Sequence, residues 1–231
     1  MSILRRIYSN WELIRDRKFI SSIPKVGTEL KVLDLGAGDG EFTKKVQKKI
    51  ETNSMYCIET HKKFVEKLKN YGYKVIEHNL NSYPFPFENN EFDLVISNQV
   101  IEHLFYPVKF TKEIHRILKP GGYSIISTEN LTSWDNIFAL ILGQTPFSAE
   151  FDDGVYRLGC YLSPHNGEIL ENSYPSHVRI FSYFGLIDLM KFCKFKVLKI
   201  EGTGHILGRL GNSFDKRHCR FITIKMKKIH S

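Results

Sequence analysis

Three glycines in five positions, Gly36, Gly38 and Gly40, follow the apolar run "KVLDL" and lead into a charged, periodic segment that starts at Glu41. A strand that turns this tightly into a helix brings its backbone close to a ligand and leaves free N–H groups at the helix start. The spacing is GxGxG, whereas the dinucleotide fingerprint GxGxxG needs a glycine where Glu41 stands. Charge separates the candidate ligands further. Asp34, Asp39 and Glu41 would set three carboxylates around a pyrophosphate, at a cost of order 1 kcal/mol for each close like-charge approach. A ligand without phosphate and with cationic groups suits the turn. Glu59 ends the next apolar run, "MYCIE", where a carboxylate can accept both hydroxyls of a ribose.

Histidines supply the candidate proton acceptors. His103 lies in "SNQVIEHLFYP", beside Glu102, and neighbouring side chains on a helix diverge, so the pair need not act together. His177 stands two residues before Arg179 in "YPSHVRIFS", and in an extended run both face one way and could meet one acidic or hydroxylated substrate. A hydroxyl that attacks an electrophile must lose its proton, and His103 or His177 would take it while Arg179 holds the acceptor. Asp152 and Asp153 precede a glycine and read as a turn; with His165 they are a conceivable magnesium site, but no metal is expected. Cys57, Cys160, Cys193 and Cys219 form no CxxC pair and read as reduced, mostly buried thiols.

Alternating elements must position these groups. Short apolar runs, "LKVLDLG", "MYCIE", "YKVIEHN" and "FDLVIS", alternate with helical patterns at "EFTKKVQKKI" and "HKKFVEKLKN", which predicts βαβ units and a parallel sheet covered on both faces. A helix is expected from Pro107 to Leu118, stopped by "KPGG", with a fifth strand at Tyr123 to Thr128. From 129 to 180 the regularity fails, as in a substrate-binding lid. Helical patterning returns after Ser182, a plausible N-cap, and the strands "FKVLKIEG" and "RFITIKMKK" close the chain.

With these motifs the chain resembles the class I S-adenosylmethionine (SAM)-dependent methyltransferases, whose first motif is an acidic residue followed by GxGxG. SAM carries an ammonium and a sulfonium, as the acidic turn asks. The resemblance implies a Rossmann-like α/β fold: a seven-stranded, mostly parallel sheet with an antiparallel last strand, helices on both faces and a lid inserted after strand five. It implies one domain over 1–231, with a helical lead-in at 1–28 and the lid at 129–180. The cofactor contacts it implies are Asp34, Gly36, Ala37, Gly38, Gly40, Glu59 and Thr60, then Asn79 and Leu80 after the third strand, and Asn98 and Gln99 after the fourth. Family members often carry Asp where Asn79 stands; its side-chain oxygen can still accept the adenine amino group. The "EH" pair and "TKEIHRILKPGGYSIIST" resemble the branch that methylates small molecules, while "NLTSWDNIFALILGQTP" and "HVRIFSYFGLIDLMKFCKFKVLKIEGTG" resemble type-11-like methyltransferases, which implies a glycan or glycolipid hydroxyl as the other acceptor.

Absences narrow the acceptor. Ser97, Asn98, Gln99 and Val100 stand where amide and adenine N-methyltransferases carry an Asn/Asp-Pro-Pro-aromatic motif, and no cysteine lies where a cytosine-C5 enzyme needs its nucleophile. Transfer to an oxygen of a small molecule or glycan is the expectation. The net charge of +8 fits a lysine-coated surface; the alternatives are RNA held by Arg209, Lys216, Arg217, Arg220, Lys225, Lys227 and Lys228 against Glu201 and Asp215, or a non-catalytic SAM-binding assembly role. Nucleic acid is the less favoured partner, and a peripheral membrane or glycolipid contact through the lead-in is open. No apolar run is long enough for a membrane helix or a signal peptide, which points to the cytoplasm.

Overall fold

In the computed structural model, residues 3–24, 27–149, 159, 161 and 177–229 are described. The apolar runs become seven strands: β1 (Lys31–Leu35), β2 (Ser54–Glu59), β3 (Lys74–Glu77), β4 (Phe92–Asn98), β5 (Leu118–Glu129), β6 (Phe195–Thr203) and β7 (Phe221–Lys228). They form one sheet in the order β3-β2-β1-β4-β5-β7-β6, in which β1 to β5 pair parallel and β7 runs antiparallel to both β5 and β6. The chain reverses its direction of travel across the sheet between β1 and β4. The crevice beyond the carboxyl ends of those two strands is where open α/β sheets take ligands.

Alternation along the strands builds two cores. Leu33, Leu35, Phe92 and Val95 face a layer that holds helices α4 (Pro107–Ile117) and α6 (Tyr183–Phe192). Val32, Leu94 and Ile96 face Val46 and Ile50 of α2 (Glu41–Ile50) and Leu68 of α3 (Lys62–Asn70). The lead-in forms helix α1 (Ile3–Ser22) and lies on this second face, where Phe19 is fully buried and meets the Phe42 ring edge-on at 5.0 Å. Most of one flank of α1 is thereby covered by protein.

Three local expectations change. β5 starts at Leu118, so "KPGG" is a bulge inside the strand: its register against Phe92 and Leu94 shifts, and Gly121 takes φ +80°. The stretch 129–180 contains a helix, α5 (Trp134–Ile141), and another, α7 (Gly208–Phe214), lies between β6 and β7. Ser182 caps α6, its Oγ accepting from Gly185 N at 3.2 Å. Cys57, Cys193 and Cys219 are free and buried; Cys160, Asp152, Asp153 and His165 lie outside the described residues. Among the described residues no helix is long and apolar enough to cross a membrane.

Candidate functional site

A cleft of about 510 Å³ opens at the carboxyl ends of β1 and β4. The three glycines of the β1–α2 turn all take positive φ but do different work. A Cβ on Gly36 would come within 2.7 Å of Val100, and one on Gly40 within 2.8 Å of Leu68, so these two allow close packing. A Cβ on Gly38 would meet nothing within 4 Å. Gly38 is the place where the turn is open to a ligand. Below it Asp34 is buried and accepts a 2.7 Å hydrogen bond from Thr43 Oγ1; burial pushes its carboxyl up to about 7 against the effect of that bond.

Across the cleft, β4 ends at Asn98, Gln99 takes φ +58°, and a short 3-10 helix, Ile101–His103, follows. The tight turn brings Glu102 and His103 together with His177, so that one ligand atom from each lies within 4.8 Å of the others. This corrects the expected divergence of Glu102 from His103. Glu102 is buried, accepts a 2.8 Å hydrogen bond from Thr128 Oγ1, and is pushed up to about 7 by burial, with His177 and Thr128 acting the other way. The His177 Nδ1 lies 2.8 Å from Ser148 O. A carbonyl only accepts, so the neutral ring carries its proton on Nδ1 and its lone pair on Nε2. The same three side chains are a set that could hold a metal ion.

The remaining wall comes from α1: Tyr8, Glu12, Arg15 and Asp16 line the cleft with Lys45. Arg15 bonds Asp16 at 2.9 Å, and Lys45 lies 3.7 Å from it. Tyr8 donates to Glu129 at 3.0 Å, and Arg220, 3% exposed, pairs with Glu129 at 3.1 Å and with Asp135 at 2.7 Å. Burial alone would raise the Glu129 carboxyl, but Arg220 and His177 hold it down at about 2.

The structure brings Asp34, Gly36, Ala37, Gly38, Asn98, Gln99, His103 and His177 to the cleft. Gly40, Glu59, Thr60, Asn79 and Leu80 stand outside its lining. Glu59 reaches back to the turn, accepting from Gly38 N at 2.8 Å and from Thr60 N and His61 N at 2.7 and 2.9 Å. Asn79 Oδ1 accepts from Asn81 N at 2.9 Å, and Leu80 is buried in the core. Arg179 stands outside the lining: its guanidinium donates to Leu104 O at 3.2 Å and Phe105 O at 2.8 Å, which clamps the returning chain onto the Ile101–His103 turn.

Sequence reasoning passed over the α1 wall, Glu129 and Arg220 as site residues. Tyr8, Glu12, Arg15 and Phe19 share one helical stripe, so a polar patch continuing a buried stripe was the available signal. Arg220 also leaves the basic C-terminal set, since it is buried. Lys216 donates to Ile200 O at 3.0 Å and Lys228 to Leu118 O at 2.8 Å.

The residues present fit SAM. Carboxylates of Glu12, Asp16, Asp34, Asp39, Glu41, Glu102 and Glu129 line the cleft against the fixed cations Arg15 and Lys45. Among the described residues, Asn98 Oδ1 and Glu102 Oε1 are buried acceptors that meet no hydrogen-bond donor. A cationic ligand supplies both the charge and the donors, whereas a pyrophosphate would supply neither.

Comparison with known proteins agrees. Residues 33–126 match the family model described as "Methyltransferase domain". The mitochondrial ubiquinone biosynthesis O-methyltransferase of Dictyostelium discoideum is 30% identical over 48% of this chain and 39% of its own length. A ubiquinone/menaquinone biosynthesis C-methyltransferase of Haemophilus ducreyi is 30% identical over 42% of this chain and 40% of its own. The chain spans about half the length of the curated relatives it matches. A solved S-adenosylmethionine-dependent methyltransferase from Mesorhizobium loti shares the fold, with a TM-score of 0.62 at 16% identity over 91% of this chain and 96% of that one.

Proposed function

Since this chain carries a class I methyltransferase domain of the type-11 family, with S-adenosylmethionine as its cofactor, we propose that it transfers a methyl group to a hydroxyl oxygen of a small molecule or glycan. The observation that carries this reading is the pairing of His103 with His177, ring centroids 4.8 Å apart, in the same cleft as the glycine turn.

Bound SAM supplies an electrophilic methyl group on a sulfonium. The chain's own groups do the rest. Asp34, the Gly38 opening and the acceptors on Asn98 and Glu102 hold the cationic end, and Glu59 stands at the ribose. The acceptor enters between α1 and the Ile101–His103 turn. Its hydroxyl proton passes to Nε2 of His177, whose Nδ1–H stays on Ser148 O, and the carboxylates of Glu102 and Glu129 stabilise the imidazolium that forms. Alignment in a walled cleft adds the larger share of the rate. His103 is the alternative acceptor of the proton.

A second reading has its own observation. Glu102, His103 and His177 together would also suit a divalent ion, which would acidify the acceptor hydroxyl in place of a free imidazole. RNA is disfavoured, because Arg220, Lys216 and Lys228 are committed within the fold.

The test uses SAM carrying a carbon-13 methyl group and a panel of hydroxylated acceptors, with NMR of the product. A methyl on oxygen, lost in both His177→Gln and His103→Gln while SAM still binds, supports the reading. A methyl on carbon or nitrogen, or undiminished turnover in both variants, overturns it. Turnover abolished by a chelator and restored by a divalent ion selects the metal reading.

A further inference from the structure

Two solvent-facing apolar segments have no part in the cleft. On and just after α5, Phe138, Leu140, Ile141 and Leu142 are exposed; on and just before α7, so are Ile206, Leu207, Leu210 and Phe214, with Leu210 at 75% and Ile141 at 72%. These are large residues, and large apolar side chains left facing water in such number mark an interaction site.

The acids of the two segments are turned inward. Asp215 accepts from Trp134 Nε1 at 3.0 Å, from His205 Nε2 at 3.1 Å and from His218 Nδ1 at 2.7 Å, which pins α5 to α7 as one unit. Asp135 is held by Arg220 at 2.7 Å. Trp134 also stacks on His218, ring centroids 4.6 Å apart. Of the charged residues in 134–142 and 206–218, the two that the structure leaves exposed are Arg209 and Arg217. Among the described residues of the two segments, the exposed side chains therefore include apolar groups and guanidinium groups, and no carboxylate is exposed.

We propose that the α5/α7 face seats the protein on a lipid surface with anionic headgroups. Apolar side chains that enter the acyl boundary beside cations that meet headgroups are the pattern of an interfacial element. A second copy fits less well: a two-fold contact would gather the Arg209 and Arg217 guanidinium groups of both copies into one interface, with no exposed acid among the described residues of the two segments to neutralise them. α1 is not the seat, because its Phe19 flank is buried on the sheet.

The seat is continuous with the cleft. α5 begins five residues after Glu129, and Asn136 of α5 donates to Ser148 Oγ, while the Ser148 carbonyl accepts from His177 Nδ1. Docking through this face holds the acceptor entrance beside the bilayer, so the acceptor would be a hydroxyl borne by a lipid or lipid-linked molecule. That last step rests on the proposed function; the seating does not.

The experiment is sedimentation of the full chain with vesicles of phosphatidylcholine alone and of phosphatidylcholine with phosphatidylglycerol, at low and high salt. Wild type is expected to bind the anionic vesicles and to bind the neutral ones at least ~tenfold more weakly. Leu210→Glu, Phe214→Glu and Ile141→Glu should each cut binding ~tenfold or more, and Leu13→Glu on α1 should leave it unchanged. Calorimetry with SAM confirms that each variant is folded. Absence of wild-type binding, equal binding by the three variants, or a wild-type dimer in light scattering that these variants dissolve would each overturn the seating. Vesicle binding without methyl transfer would leave the seating standing and remove the lipid-borne acceptor.

Discussion

The glycine turn and the histidine wall face each other across one cleft, but the chain assembles them in opposite ways. The turn and the Glu59 carboxylate come from two neighbouring strands and the helix between them, and local hydrogen bonds fix them: Thr43 to Asp34, and Gly38 to Glu59. The wall draws on α1, the Ile101–His103 turn, β5, residue 177 and β7, and buried charge holds it together through Tyr8, Glu129, Arg220 and Asp135. A cofactor site built from local geometry can be read as a motif. The proposed acceptor site, built from long-range ion pairs, depends on the whole fold.

The sharpest way to break this contrast is Arg220→Met. It strands the buried carboxylate of Glu129 and the half-buried one of Asp135, so urea unfolding should show a loss of about 3–5 kcal/mol, much of it recovered by adding Glu129→Gln. A loss below about 1 kcal/mol would mean that the ion network does not hold the wall. Gly36→Val acts on the other side: with φ +75° and Val100 only 2.7 Å from where a Cβ would stand, SAM affinity should fall at least ~hundredfold by calorimetry, about 2.7 kcal/mol. His177→Gln separates the halves kinetically. Turnover should drop on the order of a hundredfold or more while SAM affinity stays within about twofold.

A smaller effect comes with pH. The Asp34 carboxyl sits at about 7 in the folded protein against 3.8 when free, so the folded state binds the extra proton. Its contribution to stability is present at low pH and is lost as pH rises from about 4 through 7. A bound cation favours the ionised form, so SAM affinity should rise as pH rises toward 7, and Asp34→Asn should flatten both trends. Smallest of all, Lys227→Gln on the outer sheet surface should change stability by less than about 0.5 kcal/mol and leave turnover unaltered.

The same contrast explains what the sequence disclosed. Runs such as "VLDLG" and "FDLVIS" gave strands because both faces of the sheet are covered, and Asp34, Gly38 and Glu59 meet because β1 and β2 pair in register from Lys31↔Ser54 to Leu35↔Ile58. Ser182 was legible as a cap because capping is local. Arg179 was not, since an i, i+2 pattern fixes where the backbone points its side chains and says nothing of the carbonyls of Leu104 and Phe105, which are brought in by folding. Glu102 reads as separate from His103 because adjacent side chains diverge, and only folding brings in His177, which lies near both. Tyr8 and Arg15 became site residues only when α1 packed on the sheet, and Arg220 looked like a surface cation until Glu129 and Asp135 enclosed it.

The central claim is that the cleft takes a cationic nucleoside cofactor, and calorimetric titration of the wild-type protein with SAM and with NAD, repeated on Gly36→Val, tests it most directly. The account predicts one SAM bound per chain, no NAD binding, and loss of SAM binding in the variant. NAD binding, or SAM affinity untouched by Gly36→Val, would contradict it.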